Sequence, residues 1–318
     1  MTTTPLSPAG PTDRAAGGSR RGDRIFAGLA RGAGSIILVT LAGVAVFLVI
    51  QSLPALTAPA EDLPGGEGFV SYVVPLVFGT LLAALIALVL ATPMAVAIGL
   101  FISHYAPRRL AQGLGYLVDL LAAVPSVVFG LWGIIALAPR LVPGYQWLAE
   151  NLSFIPFFAG PSSSTGRTIA TAGIVLAVMI LPIMTAICRE VFLQTPTLHE
   201  EAALALGATR WEMIRMSVLP YGKSGVVSAA MLGLGRALGE TLAVALVLSV
   251  GGGVSLNLIS QSNPSTVAAN IALQFPESSG VDVNALIATG LVLFVITFAV
   301  NAGARAFLAR RKDFSGAN

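Results

Sequence analysis

Residues Arg189–Lys223 read REVFLQTPTLHEEAALALGATRWEMIRMSVLPYGK, and this charged stretch is bounded by two runs of opposite character. Thr168–Cys188 on one side holds no charge, and Ser224–Val250 on the other holds only Arg236 and Glu240. A hydrocarbon core about 30 Å thick is crossed by roughly 20 apolar helical residues, so either run is long enough to span a bilayer. The charged stretch is then a loop between two membrane helices.

Composition agrees. Soluble domains are about a quarter charged, whereas this chain of 318 residues is 10% charged and 55% hydrophobic, with mean hydropathy +0.85. Eighteen Lys and Arg against fifteen Asp and Glu leave +3, too thin for a nucleic-acid footprint. The single cysteine, Cys188, excludes an internal disulfide framework and a Cys-based zinc site. His104 and His199 alone leave little metal chemistry.

Four further apolar runs, Ala33–Leu53, one within Val70–Ser103, Leu117–Ala138 and Asn284–Phe307, bring the expected spans to six. The expected fold is therefore an all-α membrane protein, a six-helix transmembrane bundle. The first run has a rival reading as a signal sequence with Ala58-Pro59-Ala60 as the cleavage site; its long polar flank and length fit a retained anchor better. The expected organisation is a disordered tail over 1–31, a first transmembrane helix over 32–54, a transmembrane domain over 70–308 that includes the loop 190–222, and a short tail over 309–318.

Basic loops tend to stay in the cytoplasm. Arg14, Arg20, Arg21, Arg24 and Arg31 precede the first span, Arg108 and Arg109 follow the second, Arg189, Arg210, Arg215 and Lys223 follow the fourth, and Arg305, Arg310, Arg311 and Lys312 close the chain. The opposite connections hold only Arg140 and Arg167 among basic residues, with Glu61, Asp62, Glu67, Glu150, Glu277 and Asp282. Both termini are expected in the cytoplasm. Pro75, Pro93, Pro125 and Pro182 predict kinks. Gly79, Gly99, Gly130, Gly133, Gly233, Gly235 and Gly239 permit close helix approach.

The charged loop reads as two short helices. Thr197 with Glu200, and Thr209 with Glu212, each match the capping box; Gly207 sits where the first helix stops, and Pro220 marks the end of the second. Such a pair makes a compact knob on the inner side, and knobs fit sockets. The competing reading is an amphipathic loop on the headgroups with Trp211 and Met213 in lipid.

Glu201-Ala202-Ala203, Gly207 beyond it and Leu219-Pro220 after a further stretch resemble the EAA motif of ABC importer permeases. In that family the motif forms the coupling helix that docks in a groove of the cytosolic ATPase. Ser217 departs from the isoleucine common there, with Ile214 available as its substitute. The resemblance implies the type I ABC importer permease fold, with Glu200, Glu201, Ala202, Ala203, Gly207 and Arg210 coupling to the ATPase.

Arg236 and Glu240 lie mid-way through the fifth run, where an unpaired charge costs on the order of 2.5–3.5 kcal/mol. At i and i+4 on one helix an ion pair is available to them, which makes them either a register-fixing pair or the lining of an oxyanion path. The surrounding residues Leu234 to Val244, LGRALGETLAV, resemble the signature of PstC-type subunits of phosphate-specific ABC permeases. Pro125 to Gly133, PSVVFGLWG, and Thr266 to Ala272, TVAANIA, resemble the same family. By resemblance Arg236, Glu240, Thr241 and Ser126 line the substrate path.

The resemblance implies a transport subunit, not an enzyme, in the cytoplasmic membrane of a bacterium. Its implied partners are a PstA-type permease, a PstB-type ATPase dimer and a PstS-type phosphate-binding protein. It implies no cofactor on this chain, with ATP and Mg on the partner ATPase. A carboxylate at Glu240 can accept the proton that phosphate carries and sulfate lacks, which suits discrimination between the two. Asp119 is expected at the interface near Arg108 and Arg109, and Tyr145, Trp147, Phe154, Phe157 and Phe158 as an outer aromatic belt.

The alternatives are a permease for another oxyanion, separated by anion competition, and an ion-driven secondary transporter, which would work without an ATPase. A sensor or scaffold predicts unaltered uptake on deletion. A membrane enzyme lacks a motif: there is no HExxH and no intramembrane aspartate pair.

Overall fold

The computed structural model describes residues 19–251 and 253–309. The first eighteen residues of the expected N-terminal tail, and all but the first residue of the expected C-terminal one, lie outside the described residues. The chain divides into two compact units, up to Ile50 and from Gln51 onward. Helix α1, Ser19–Thr57, begins in the first and ends in the second, and takes in residues 19–31 that composition alone left without structure. Arg, Ala and Leu there are strong helix formers.

The second unit continues with α2 (Phe69–Leu100), α3 (Arg108–Ala122), α4 (Ser126–Trp132), α5 (Ala138–Asn151) and α6 (Ile169–Leu193). After these come α7 (Thr197–Ala205), α8 (Arg210–Met213), α9 (Leu219–Leu238), α10 (Leu242–Val247), α11 (Val267–Gln274) and α12 (Val281–Ala309). Among the described residues five helical stretches are long and apolar enough to cross a membrane: Gly22–Thr57, Phe69–Tyr105, Ser126–Asn151, Ile169–Leu193 and Val281–Ala306.

Two expected spans differ. The third moves from Leu117–Ala138 to Ser126–Asn151, because α3 stops at Ala122 and Pro125 drives the residue before it out of helical geometry. The fifth is broken: α9 ends at Leu238 and α10 starts at Leu242, with Gly239–Thr241 between.

Three wide helical turns share one cause. Ala106 N–H bonds the Phe101 carbonyl, Ala138 N–H that of Gly133, and Leu219 N–H that of Ile214, each five residues back. In each case the next residue is a proline: Pro107, Pro139 and Pro220. Proline has no N–H and its ring collides with the carbonyl four residues earlier; a π turn just before it moves that carbonyl aside. Pro220 therefore does not end a second short helix. It opens α9, and Arg210–Leu238 is helical throughout.

Helix α6 is the centre of the core, with Ile169, Leu176, Ile180, Met184, Cys188 and Phe192 fully buried. Against it lies a stripe of small residues spaced four apart on α2: Ala83, Ala87, Ala91, Ala95 and Gly99. Four-residue spacing keeps them on one face, and the missing bulk lets the two backbones approach. A Cβ on Gly99 would sit 3.0 Å from that of Cys188. Near the start of this second unit, the Asn284 amide of α12 donates to the Gln51 carbonyl at 2.7 Å, beside a small cluster of Ala55, Leu63, Ala285 and Ala288.

Candidate functional site

The knob is built as the loop sequence directs, with one change of cap. Helix α7 closes with Gly207 at φ +86°, a conformation that favours glycine. Gly207 N–H bonds the Leu204 carbonyl and Ala208 N–H that of Ala203, the paired bonds of a Schellman stop. At the start of α8 the capping box is complete: Glu212 N–H donates to Thr209 Oγ1 at 3.3 Å, and Thr209 N–H to Glu212 Oε2 at 2.8 Å. The bonds that Thr209 N–H and Thr209 Oγ1 donate to the carboxylate, each 2.8 Å, hold Glu212 below its ordinary range.

The expected box at Thr197 and Glu200 does not form. Pro196 takes the cap position, Thr197 is already the first residue of α7, and Glu200 Oε1 meets His104 Nε2 at 3.3 Å instead. His104 belongs to the π turn that ends the second span. Nothing in the sequence joins these residues; the fold does.

Of the coupling candidates, Glu201, Ala202, Gly207 and Arg210 are exposed and Glu200 is half-buried. Ala203 turns inward, packed in the core with Met213 and Ile214. Ile214, the available substitute for the family's isoleucine, is fully buried, and Ser217 donates to the His199 carbonyl at 3.3 Å. Met213 is buried and so cannot dip into lipid, while Leu206, at 90% exposure, Leu198 and Trp211 are exposed apolar side chains of the knob.

The broken fifth helix joins two of the stretches singled out from sequence. Gly130 of α4 sits on Ala243 of α10, so close that a Cβ would meet the Ala243 Cα at 2.8 Å. Ser126, at the start of α4, is thereby held on the helix that packs beside the Gly239–Thr241 break.

Arg236 and Glu240 do not form the ion pair that i,i+4 spacing offered; neither has a salt bridge among the described residues. The helix stops between them at Gly239. Glu240 Oε1 instead accepts from Ala243 N–H at 3.1 Å, satisfying a free amide of α10 with a negative charge at its start. Thr241 Oγ1 donates to the Gly239 carbonyl at 3.3 Å. At the far end of α10, Arg167 donates to the carbonyls of Leu246 and Leu248 at 3.2 and 3.4 Å. A six-residue helix is thus held at both ends by charge. Arg236 faces elsewhere, into a cleft of about 510 Å³ between α6, α9 and α12.

Asp119 pairs with Arg189 at 3.8 Å, not with Arg108 or Arg109. Tyr145 leaves the expected aromatic belt: it is buried, hydrogen-bonded to Thr171 at 2.8 Å. On the other side, Tyr72 accepts from the Asn270 amide at 2.6 Å and lines a second cleft with Glu67, Ser265 and Pro75. Asn270 lies in the TVAANIA stretch.

The family model for binding-protein-dependent transport system inner membrane components matches residues 95–313. A phosphate transport system permease protein PstC 2 of Mycobacterium tuberculosis is 49% identical over 91% of this chain and 92% of its own length. A PstC of Mycobacterium leprae is 45% identical over 95% and 98%. A crystal structure of a bacterial ABC transporter involved in alginate import covers 89% of this chain and 99% of its own at TM-score 0.51 and 17% identity, a likeness of fold. The matched region carries the knob and the broken helix together, and the chain belongs to the family of binding-protein-dependent transport system inner membrane components.

Proposed function

We propose that this chain is the PstC-type permease subunit of an ATP-driven importer of inorganic phosphate. The observation that carries the reading is the near full-length identity to relatives named for phosphate transport. The chain crosses the cytoplasmic membrane of a bacterium six times with both termini inside, α9 and α10 together making the fifth crossing. It forms the path with a PstA-type permease and receives phosphate from a PstS-type binding protein. The knob around Glu201–Gly207 docks in a PstB-type ATPase, which holds the ATP and Mg.

Two mechanical links leave the knob. One is the continuous helical run Arg210–Leu238, which ends two residues beyond Arg236; the other is His104–Glu200, which ties α7 to the end of α2. Closure of an ATPase dimer that displaces the knob is thereby delivered to Arg236 as a rigid-body shift of α9. The guanidinium offsets the phosphate charge through directed N–H donors, while Thr241 and Ser126 flank the break through which the ion passes.

The test is uptake of labelled phosphate in a strain lacking its own phosphate permeases, with this chain supplied alongside its genomic neighbours. Saturable uptake that needs ATP and is blocked by excess phosphate supports the reading. Uptake competed equally by sulfate or molybdate replaces the cargo, and gradient-driven uptake without an ATPase overturns the class.

A further inference from the structure

We infer that Arg305 and Asn301 of α12, with Arg236 and Ser228 of α9, form a second oxyanion station between the helix break and the cytoplasm, where the ion pauses before release. This rests on the reading of the chain as an oxyanion permease.

All four side chains line the cleft of about 510 Å³. Its walls are otherwise apolar or small, and among the described residues no Asp or Glu lines it. Gly235 leaves open space where a side chain would stand, and Ala304 adds only a methyl. Among the described residues neither guanidinium has an ion pair, and none of Arg236, Arg305 and Asn301 has a side-chain hydrogen bond. Ser228 donates to the Ser224 carbonyl at 2.9 Å, and a rotation of its hydroxyl turns it to a ligand.

Two cations lining one cleft, with no acidic side chain among its described lining residues, repel one another. A shared anion removes both the repulsion and the unsatisfied donors. Guanidinium forks match the oxygens of a tetrahedral phosphate, and an amide and a hydroxyl add donors. The cleft is much larger than the bare ion, so the anion keeps part of its water. That suits a station that must release its cargo, since a fully dehydrated site would hold it. Residues 228, 232 and 235 recur at helical spacing on one face of α9, so the same helix presents the cleft and carries the break.

The full transport complex with Ala304→Cys is placed in nanodiscs of phosphatidylcholine and labelled with a neutral maleimide. The native Cys188 is buried and stays silent. Inorganic phosphate is expected to slow labelling. Arg305→Gln on the same background should raise the half-protecting phosphate concentration about tenfold or more, the loss of a charge-assisted bond; Arg305→Lys should recover part of it. Where uptake of phosphate is intact, labelling indifferent to phosphate overturns the station. Protection by added phosphatidylglycerol with none by phosphate assigns the cleft to a lipid headgroup and also overturns it. If the cargo proves to be another oxyanion, protection by that anion and not by phosphate keeps the station and replaces only the cargo.

Discussion

His104 Nε2 and Glu200 Oε1 meet at 3.3 Å across 96 positions of sequence, joining the end of the second span to the first helix of the knob. The histidine is placed on its other side as well: Nδ1 lies 2.7 Å from Ser103 Oγ, whose hydroxyl donates to the Gly99 carbonyl at 2.8 Å. Both ring nitrogens thus have a partner, one on the span's own last turn and one on the knob.

Glu200→Gln and His104→Ala should each lower transport several-fold without releasing the ATPase. The measurement is uptake alongside copurification of the complex, and the double variant should lose little beyond either single one, since both remove one link. Additive losses would mean that the two residues act apart.

Arg236→Ala should abolish uptake while the complex still assembles, because the side chain makes no structural bond among the described residues. Pull-down of the ATPase with the variant checks this. A complex that falls apart makes the arginine structural.

Glu240 separates into two tests. Glutamine keeps an oxygen for the Ala243 amide but removes the charge, so Glu240→Gln should relax discrimination against sulfate more than it slows phosphate. Glu240→Ala removes the cap too and should cost about 1 kcal/mol of α10 stability in addition. Equal falls for both anions in the glutamine variant would refute a charge role.

Gly130→Val should abolish transport through packing alone, since its Cβ would strike the Ala243 backbone at 2.8 Å and overpacking costs about 1–3 kcal/mol. The check is a lowered melting temperature of the purified complex, with Gly144→Ala as a control that meets open space.

Protection of the Glu212 amide against hydrogen exchange should depend on acid. Its carboxyl is held low by Thr209, so the cap's contribution is full above the ordinary glutamate value of about 4.3 and is lost as pH falls through the lowered one. Thr209→Ala should remove the protection at every pH.

Much of this was legible beforehand. Apolar runs gave most of the spans, Gly207 gave the stop of α7, and Thr209 with Glu212 gave a cap, because each is a local rule acting over a few residues. Pro125 in the sequence predicts a kink within a span, whereas it separates two helices. Pro220 predicts a terminator, whereas a π turn with Ile214 and Val218 buried at its two ends absorbs it. Spacing pairs Glu200 and Glu240 with near neighbours; the fold instead gives them a distant histidine and the amide of a helix start that follows a break in the run. The cleft with Arg305 was illegible for the same reason, since the sequence presents that arginine only as a marker of orientation.

The stripe from Ala83 to Gly99 leaves the molecule little freedom in where it bends. Two helices clasped backbone to backbone over four turns act as one beam, and a beam cannot serve as its own hinge. Under the proposed coupling, motion imposed through the knob is taken up where the helical run is interrupted, at the three residues from Gly239 to Thr241.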